Sequence, residues 1–136
     1  MQISCRDRNK IALQSDILGA NALGIKNILC ITGDSVKAGD QQDAKAVHQF
    51  ESVRLLKQIQ AFNEGIDPTF GELPDKKTFI YAGAAADPSC RNQKSLENRM
   101  RKKKAAGAQF IQTQMVMEKA NLIEFCKNIA LSLIHI

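Results

Sequence analysis

Asp34 is the residue whose surroundings most invite chemistry. It follows Gly33, and Thr32-Gly33-Asp34 closes the nearly unbroken apolar run Asn27-Ile28-Leu29-Cys30-Ile31. A glycine there lets backbone approach a ligand closely. A carboxylate beside it can accept ligand hydrogen bonds and set negative charge against the ligand. The plainer role is an Asp that caps the following loop. Gln114 is the second candidate, an amide at the tip of the segment Phe110–Thr113. It can donate and accept at once, which suits the edge of a heterocycle, or it can be a satisfied strand-end amide. The small run Gly83–Ala86 leaves room for a flat group, or for tight helix–strand packing. Arg99–Lys104 (RMRKKK) could grip phosphates or nucleic acid, although such a run is more often a solvated helix face. His48 and His135 are isolated and are not read as ligands. Of Cys5, Cys30, Cys90 and Cys126, none forms a C-x-x-C pair, so no metal site is expected. Cys5, Cys30 and Cys126 sit in apolar runs and are expected to be small buried hydrophobes in a reducing cytosol.

These residues need elements to hold them. Gln2–Cys5 reads as a short strand, followed by capping groups in Arg6-Asp7-Arg8-Asn9. Residues 10–23 read as a helix, with Leu13, Ile17, Ala20 and Leu23 on one face and Gly24 as its cap. The run 27–31 is the clearest strand, apolar enough to be covered on both faces of a parallel sheet. Ser35–Lys45 is a polar connection longer than usual, and long loops are often functional. A helix over about 49–63 aligns Leu55, Ile59 and Phe62 and stops at Gly65. Residues 66–77, with two Pro and one Gly, read as loop. Phe79–Gly83 is the third strand, 92–106 a helix ending at Gly107, Phe110–Thr113 the fourth strand, and a last helix from about 119 aligns Leu122, Phe125 and Ile129. Four strand–helix units imply an α/β fold with a parallel sheet, and ligands bind such sheets at the carboxyl ends of the strands. Half of a closed barrel and a small doubly wound sheet both remain open on pattern alone.

Composition narrows the partners. The 136 residues are 44% hydrophobic and 24% charged, enough for one domain. The net charge of +5 permits an anionic partner. With no Trp and one Tyr, base-stacking platforms are poorly supplied, so no nucleic-acid partner is expected. No stretch approaches the ~20 apolar residues of a membrane span. No signal-peptide pattern opens the chain, so the expected location is cytoplasmic.

Two blocks carry a family resemblance. The stretch QISCRDRNKIALQSDILGANALGIKNILCITGDSVKAGDQ and, further on, AGAQFIQTQ resemble two signatures of methylenetetrahydrofolate reductases, in the same order and at a fitting distance. The first block is specific, and its Cys-Arg-Asp-Arg-Asn and Lys-Ala-Gly-Asp-Gln versions resemble the bacterial and archaeal branch, which includes forms fused to a homocysteine methyltransferase. The resemblance spans residues 1 to about 130. It implies a (β/α)₈ TIM barrel, with these four units carrying its third to sixth strands. It implies flavin-dependent reduction of 5,10-methylenetetrahydrofolate to 5-methyltetrahydrofolate, through FAD, with FMN as the alternative, and NADH or NADPH as electron donor. By position, Asp34 matches an aspartate beside the flavin ring that also contacts the pterin, and Gln114 matches a substrate-binding glutamine. Thr32 and Gly33 match residues along the flavin phosphate and ribityl side, though many relatives carry Arg at Thr32. Gln2 stands where many relatives have a flavin-contacting His. Gly83 and Ala84 match small residues against the flavin, Lys103 a basic residue near its diphosphate, Asp87 a His-Pro or Asn-Pro position, and His48 an aromatic contact. The family's general acid, a glutamate on the first barrel strand, matches no residue here. The resemblance further implies a folate substrate and a parent that is homo-oligomeric, or joined to a methyltransferase or electron-transfer subunit. Leu131–Ile136 (LSLIHI) departs from the family pattern and reads as a non-native tail, the translation of a sequencing adapter, behind a reductase domain over 1–130.

Overall fold

The computed structural model describes residues 1–73 and 77–133, with side chains to residue 129. Its elements are β1 (Gln2–Ser4), α1 (Lys10–Ala22), β2 (Asn27–Ile31), α2 (Ser52–Glu64), a hairpin of β3 (Ile66–Asp67) and β4 (Gly71–Glu72), β5 (Tyr81–Ala86), α3 (Gln93–Ala105), β6 (Phe110–Thr113) and α4 (Lys119–Leu133). A short 3₁₀ turn, Val36–Ala38, interrupts the long connection after β2.

The sheet decides between the two architectures. Its order is β1-β2-β5-β6, every pair parallel, so chain order and spatial order coincide. The register sets Ile3 beside Cys30, Cys30 beside Ala84, and Ala84 beside Ile111. That row faces the helices. Leu13, Ile17 and Ala20 of α1 and Leu55, Leu56, Ile59 and Phe62 of α2 bury against it. Leu96 and Met100 of α3 and Phe125 of α4 gather around Ala86 and Ile111 on the same side. Because side chains alternate along a strand, the neighbouring row Gln2, Leu29, Gly83 and Phe110 stands on the opposite face, where no helix among the described residues packs. A doubly wound sheet carries helices on both faces and reverses its strand order. One-sided helices on consecutive parallel strands are four successive βα units of a (β/α)₈ barrel wall.

Local chemistry explains the boundaries. Asn9 caps α1 by accepting the Ala12 N–H at 2.9 Å, as the sequence suggested. Asn92 does the same for α3 from Ser95 at 2.9 Å. Gly24, Gly65 and Gly107 follow helices at positive φ. Leu23, expected on the buried face of the first helix, is instead its exposed C-cap.

The third strand of the main sheet begins later than the expected Phe79 and runs on through Ala86. Asn21 Oδ1 takes the Phe79 N–H at 3.2 Å, and Asn63 brackets Ile80, accepting its N–H at 3.0 Å and donating to its carbonyl at 2.8 Å. The backbone of 79–80 is thus committed to side-chain amides before ladder pairing starts. Ala84–Ala86, expected to lie just past the strand end, extend the strand, paired to β2 and β6. Residues 66–72, expected as loop, form a small hairpin closed by Asp67, whose Oδ1 accepts the Thr69 and Phe70 N–H groups at 2.7 and 3.3 Å. Cys5 and Cys30 are buried as expected, whereas Cys126 is exposed because it lies on the outer side of α4, next to the inward Phe125. Of the expected tail, residues 131–133 continue α4, and Ile134, His135 and Ile136 lie outside the described residues.

Candidate functional site

A cleft of about 410 Å³ opens at the carboxyl ends of the strands and over the uncovered sheet face. That volume is ordinary for a small-molecule site. The strand alternation that sends Ile3 and Cys30 toward the helices sends Gln2, Leu29, Ile31, Ala85, Gln112 and Gln114 into this cleft. Thr32, Gly33, Asp34, Ser52, Lys103 and Thr113 complete its lining. Six residues singled out from sequence therefore meet in one place: Gln2, Thr32, Gly33, Asp34, Lys103 and Gln114.

Gly33 is required by geometry. Its φ is +92°, and a Cβ built there would lie 2.5 Å from Ser4 Oγ and 2.7 Å from Arg6 Cβ. The turn this permits leaves Asp34 exposed at the mouth. Arg6 approaches from the end of β1. Its guanidinium, hydrogen-bonded to Asp7 at 2.7 Å, is held more firmly charged by that bond and, to a lesser degree, by Asp34. Thr32 joins the strand end to a helix start: its Oγ1 accepts the Ser52 N–H at 3.2 Å and donates to Ser52 Oγ at 3.3 Å. It supplies the cap that Glu51, at the N-cap position, does not.

Lys103 reaches from α3 to donate to the Ala85 carbonyl at 2.6 Å. Burial, and secondarily Arg99, pushes its pKa down from the usual lysine value. The basic run it belongs to is split among separate tasks. Arg99 donates to Cys90 Sγ at 3.3 Å, and Arg101 pairs with Glu97 at 2.8 Å.

Four expected contacts lie off the cleft. Gly83 is buried in β5 under Phe110, whose ring atoms stand 2.2–2.5 Å from where a Cβ would be, so its missing side chain makes room for that ring. Ala84 points into the helix-side core and is fully buried. Asp87 is a turn group, accepting the Ser89 N–H at 2.9 Å beside a smaller cavity of about 150 Å³ that shares Ala85 and Lys103 with the cleft. His48 is exposed on the long loop at φ 40° and gives its N–H to the Arg6 carbonyl at 3.3 Å. Of the small run Gly83–Ala86, Ala85 is the member that lines the cleft, while sequence reasoning missed Leu29, Ile31, Ser52, Gln112 and Thr113. The two-residue alternation from Gln114 back to Gln112 would have found the latter. No sequence signal could place Ser52, which reaches the rim only across the loop from Thr32.

Among the described residues no group of three or more His, Cys, Asp or Glu could hold a metal ion. The lining fits a flat heterocycle. Leu29, Ile31 and Ala85 give an apolar floor with one small residue, and Gln2, Gln112 and Gln114 offer paired donors and acceptors at the edges. Asp34 and Lys103 set opposite charges on the rim.

Sheet and cleft together define a barrel-type enzyme wall carrying a strand-end site. The methylenetetrahydrofolate reductase family model matches residues 1–136, and the chain belongs to that family. No curated protein matches it. The family is one of oxidoreductases that reduce folates in one-carbon metabolism, and it is generally flavin-dependent. No helix among the described residues is long and apolar enough to cross a membrane.

Proposed function

We propose that the cleft is the flavin- and folate-facing wall of a reductase converting 5,10-methylenetetrahydrofolate to 5-methyltetrahydrofolate. The observation that supports it is the meeting of Asp34 and Gln114, from separate strand ends, in one cleft of a chain of this family. A bound flavin, FAD in this reading, would supply the hydride and be reloaded by NADH or NADPH. The chain's own residues bind and orient. Leu29, Ile31 and Ala85 present a dry floor to a ring. Gln112 and Gln114 match donors and acceptors along its edge and that of the pterin. Asp34 accepts hydrogen bonds and places negative charge where the ring meets the folate, and Lys103 faces anionic oxygens.

Proton delivery is a separate matter. Among the described residues Asp34 is the one carboxylic acid lining the cleft, and it already serves binding in this reading. We infer that turnover needs a proton donor other than the described residues of this cleft, and that the chain by itself binds flavin without sustained catalysis. The parent's association with itself, a methyltransferase or an electron-transfer subunit belongs to the same reading.

Flavin fluorescence titration of the purified chain is the test. Saturable quenching is expected, weakened about tenfold by Gln114→Ala or Asp34→Ala, in line with the loss of one hydrogen bond to a ligand. Equal affinity in wild type and both variants would remove the cleft as the site.

A further inference from the structure

A second pocket, of about 320 Å³, lies among the outer helices and shares no residue with the strand-end cleft. Its walls are Lys10 at the start of α1, Phe50, then Arg54, Lys57 and Gln58 on α2, and Pro68 at the hairpin tip. Three of the six are cations, and no carboxylate lines the pocket. Among the described residues none of these cations is in an ion pair. The Arg54 guanidinium rests 5.1 Å from the Phe50 ring centroid, which holds it in place over the ring. Lys10 is steadied by donating to the Thr69 hydroxyl.

Gln58 supplies the independent sign of a ligand. Only 4% of it is exposed, and its Nε2 is buried with no hydrogen-bond acceptor. A buried amide donor left alone is destabilising, and native structures rarely tolerate one without a partner. Gln14 carries a similar orphan donor, but of the two only Gln58 lines this pocket, where an oxygen acceptor would satisfy its amide and the three cations favour one that carries negative charge. A phosphate offers several acceptor oxygens to cations and a neutral donor together. We propose that this pocket is an anion site that takes the phosphate group of a small ligand. It is separate from the folate-reducing cleft, and nothing in the reading of that cleft depends on it.

The test is calorimetric titration of the full chain at low salt, with inorganic phosphate in one arm and phenyl phosphate in the other. Saturable binding is expected. Arg54→Met and Lys57→Met, both at exposed positions, should each weaken it about tenfold, the usual size of one charged hydrogen bond. Lys94→Met, at an exposed position of α3 that lines neither pocket, should leave it unchanged. Gln58→Met should also weaken binding, yet raise the melting temperature of the anion-free protein by removing the orphan donor. That opposed pair of effects separates a ligand-facing amide from a merely structural one. Tighter binding of phenyl phosphate would assign the site to a phosphorylated organic molecule, and equal or tighter binding of inorganic phosphate to the free ion. No saturation in either arm, or saturation untouched in the Arg54→Met/Lys57→Met double variant, would overturn the proposal and leave the Gln58 amide to a trapped water.

Discussion

Gly33 and the two buried thiols show how differently single residues serve the site. Gly33→Ala forces a side chain into left-handed backbone and against Ser4 and Arg6. It is expected to destabilise the fold by about 2 kcal/mol or more, and to displace Asp34 from the rim, measured as a lower melting temperature together with weaker flavin quenching. Cys5 and Cys30 do no chemistry. Burial, with a smaller push from Glu51, raises the Cys5 thiol to about 11, and burial, with Cys5 beside it, raises Cys30 to about 12. At pH 8 a disulfide reagent should therefore label Cys90 and Cys126 and spare Cys5 and Cys30 until the protein is unfolded. Since the folded values lie above 9.0, the stability these thiols contribute is fully present below pH 9 and is lost as pH rises toward about 11 to 12. In Cys30→Val that alkaline loss should shrink in a pH series of melting curves. At this scale the sequence was informative where a residue type is scarce in its setting. Asp34 after a glycine and Gln114 at a strand tip are conspicuous, and both line the cleft. His48 and Asp87 were carried by resemblance, Gly83 and Ala84 by resemblance and by their small size, and for each the structure shows local packing or turn geometry.

Elements were legible wherever the apolar pattern was regular. The run Asn27–Ile31 is the strand it reads as, and Leu55, Ile59 and Phe62 are the buried stripe of α2. The pattern failed where a distant side chain claims the backbone. Asn63 sits 17 residues before Ile80, yet its amide binds both Ile80 backbone groups and accepts the Thr78 hydroxyl at 2.6 Å. No local signal reports such a bond. Asn63→Leu should strand the nearly buried Thr78 hydroxyl and the Ile80 groups. It is expected to lower stability by about 2 to 3 kcal/mol, read from the denaturant midpoint, while Asn63→Asp retains part of the acceptor role and falls less. The hairpin 66–72 was hidden for a related reason: Asp67 does its own turn-closing, and two-residue strands carry no periodicity.

Across the whole molecule, the face bearing Gln2, Leu29, Gly83 and Phe110 is uncovered by helices, and the outer edges of β1 and β6 have no neighbour among the described residues. Exposed parallel edges invite pairing with other chains. Sedimentation velocity on the isolated chain should show mass rising with concentration, and one monomeric species across a wide range would contradict this. Pattern left barrel and doubly wound sheet undecided, because which face a helix covers is a property of handedness and assembly that local periodicity does not encode. The strand order that settles it has a further consequence for biosynthesis. Because β1, β2, β5 and β6 lie in space as they lie in the chain, every new strand leaving the ribosome finds its predecessor already waiting at the growing edge. No strand has to insert between two earlier ones. The sheet can be laid down in one direction at the pace of translation, each βα unit serving as template for the next.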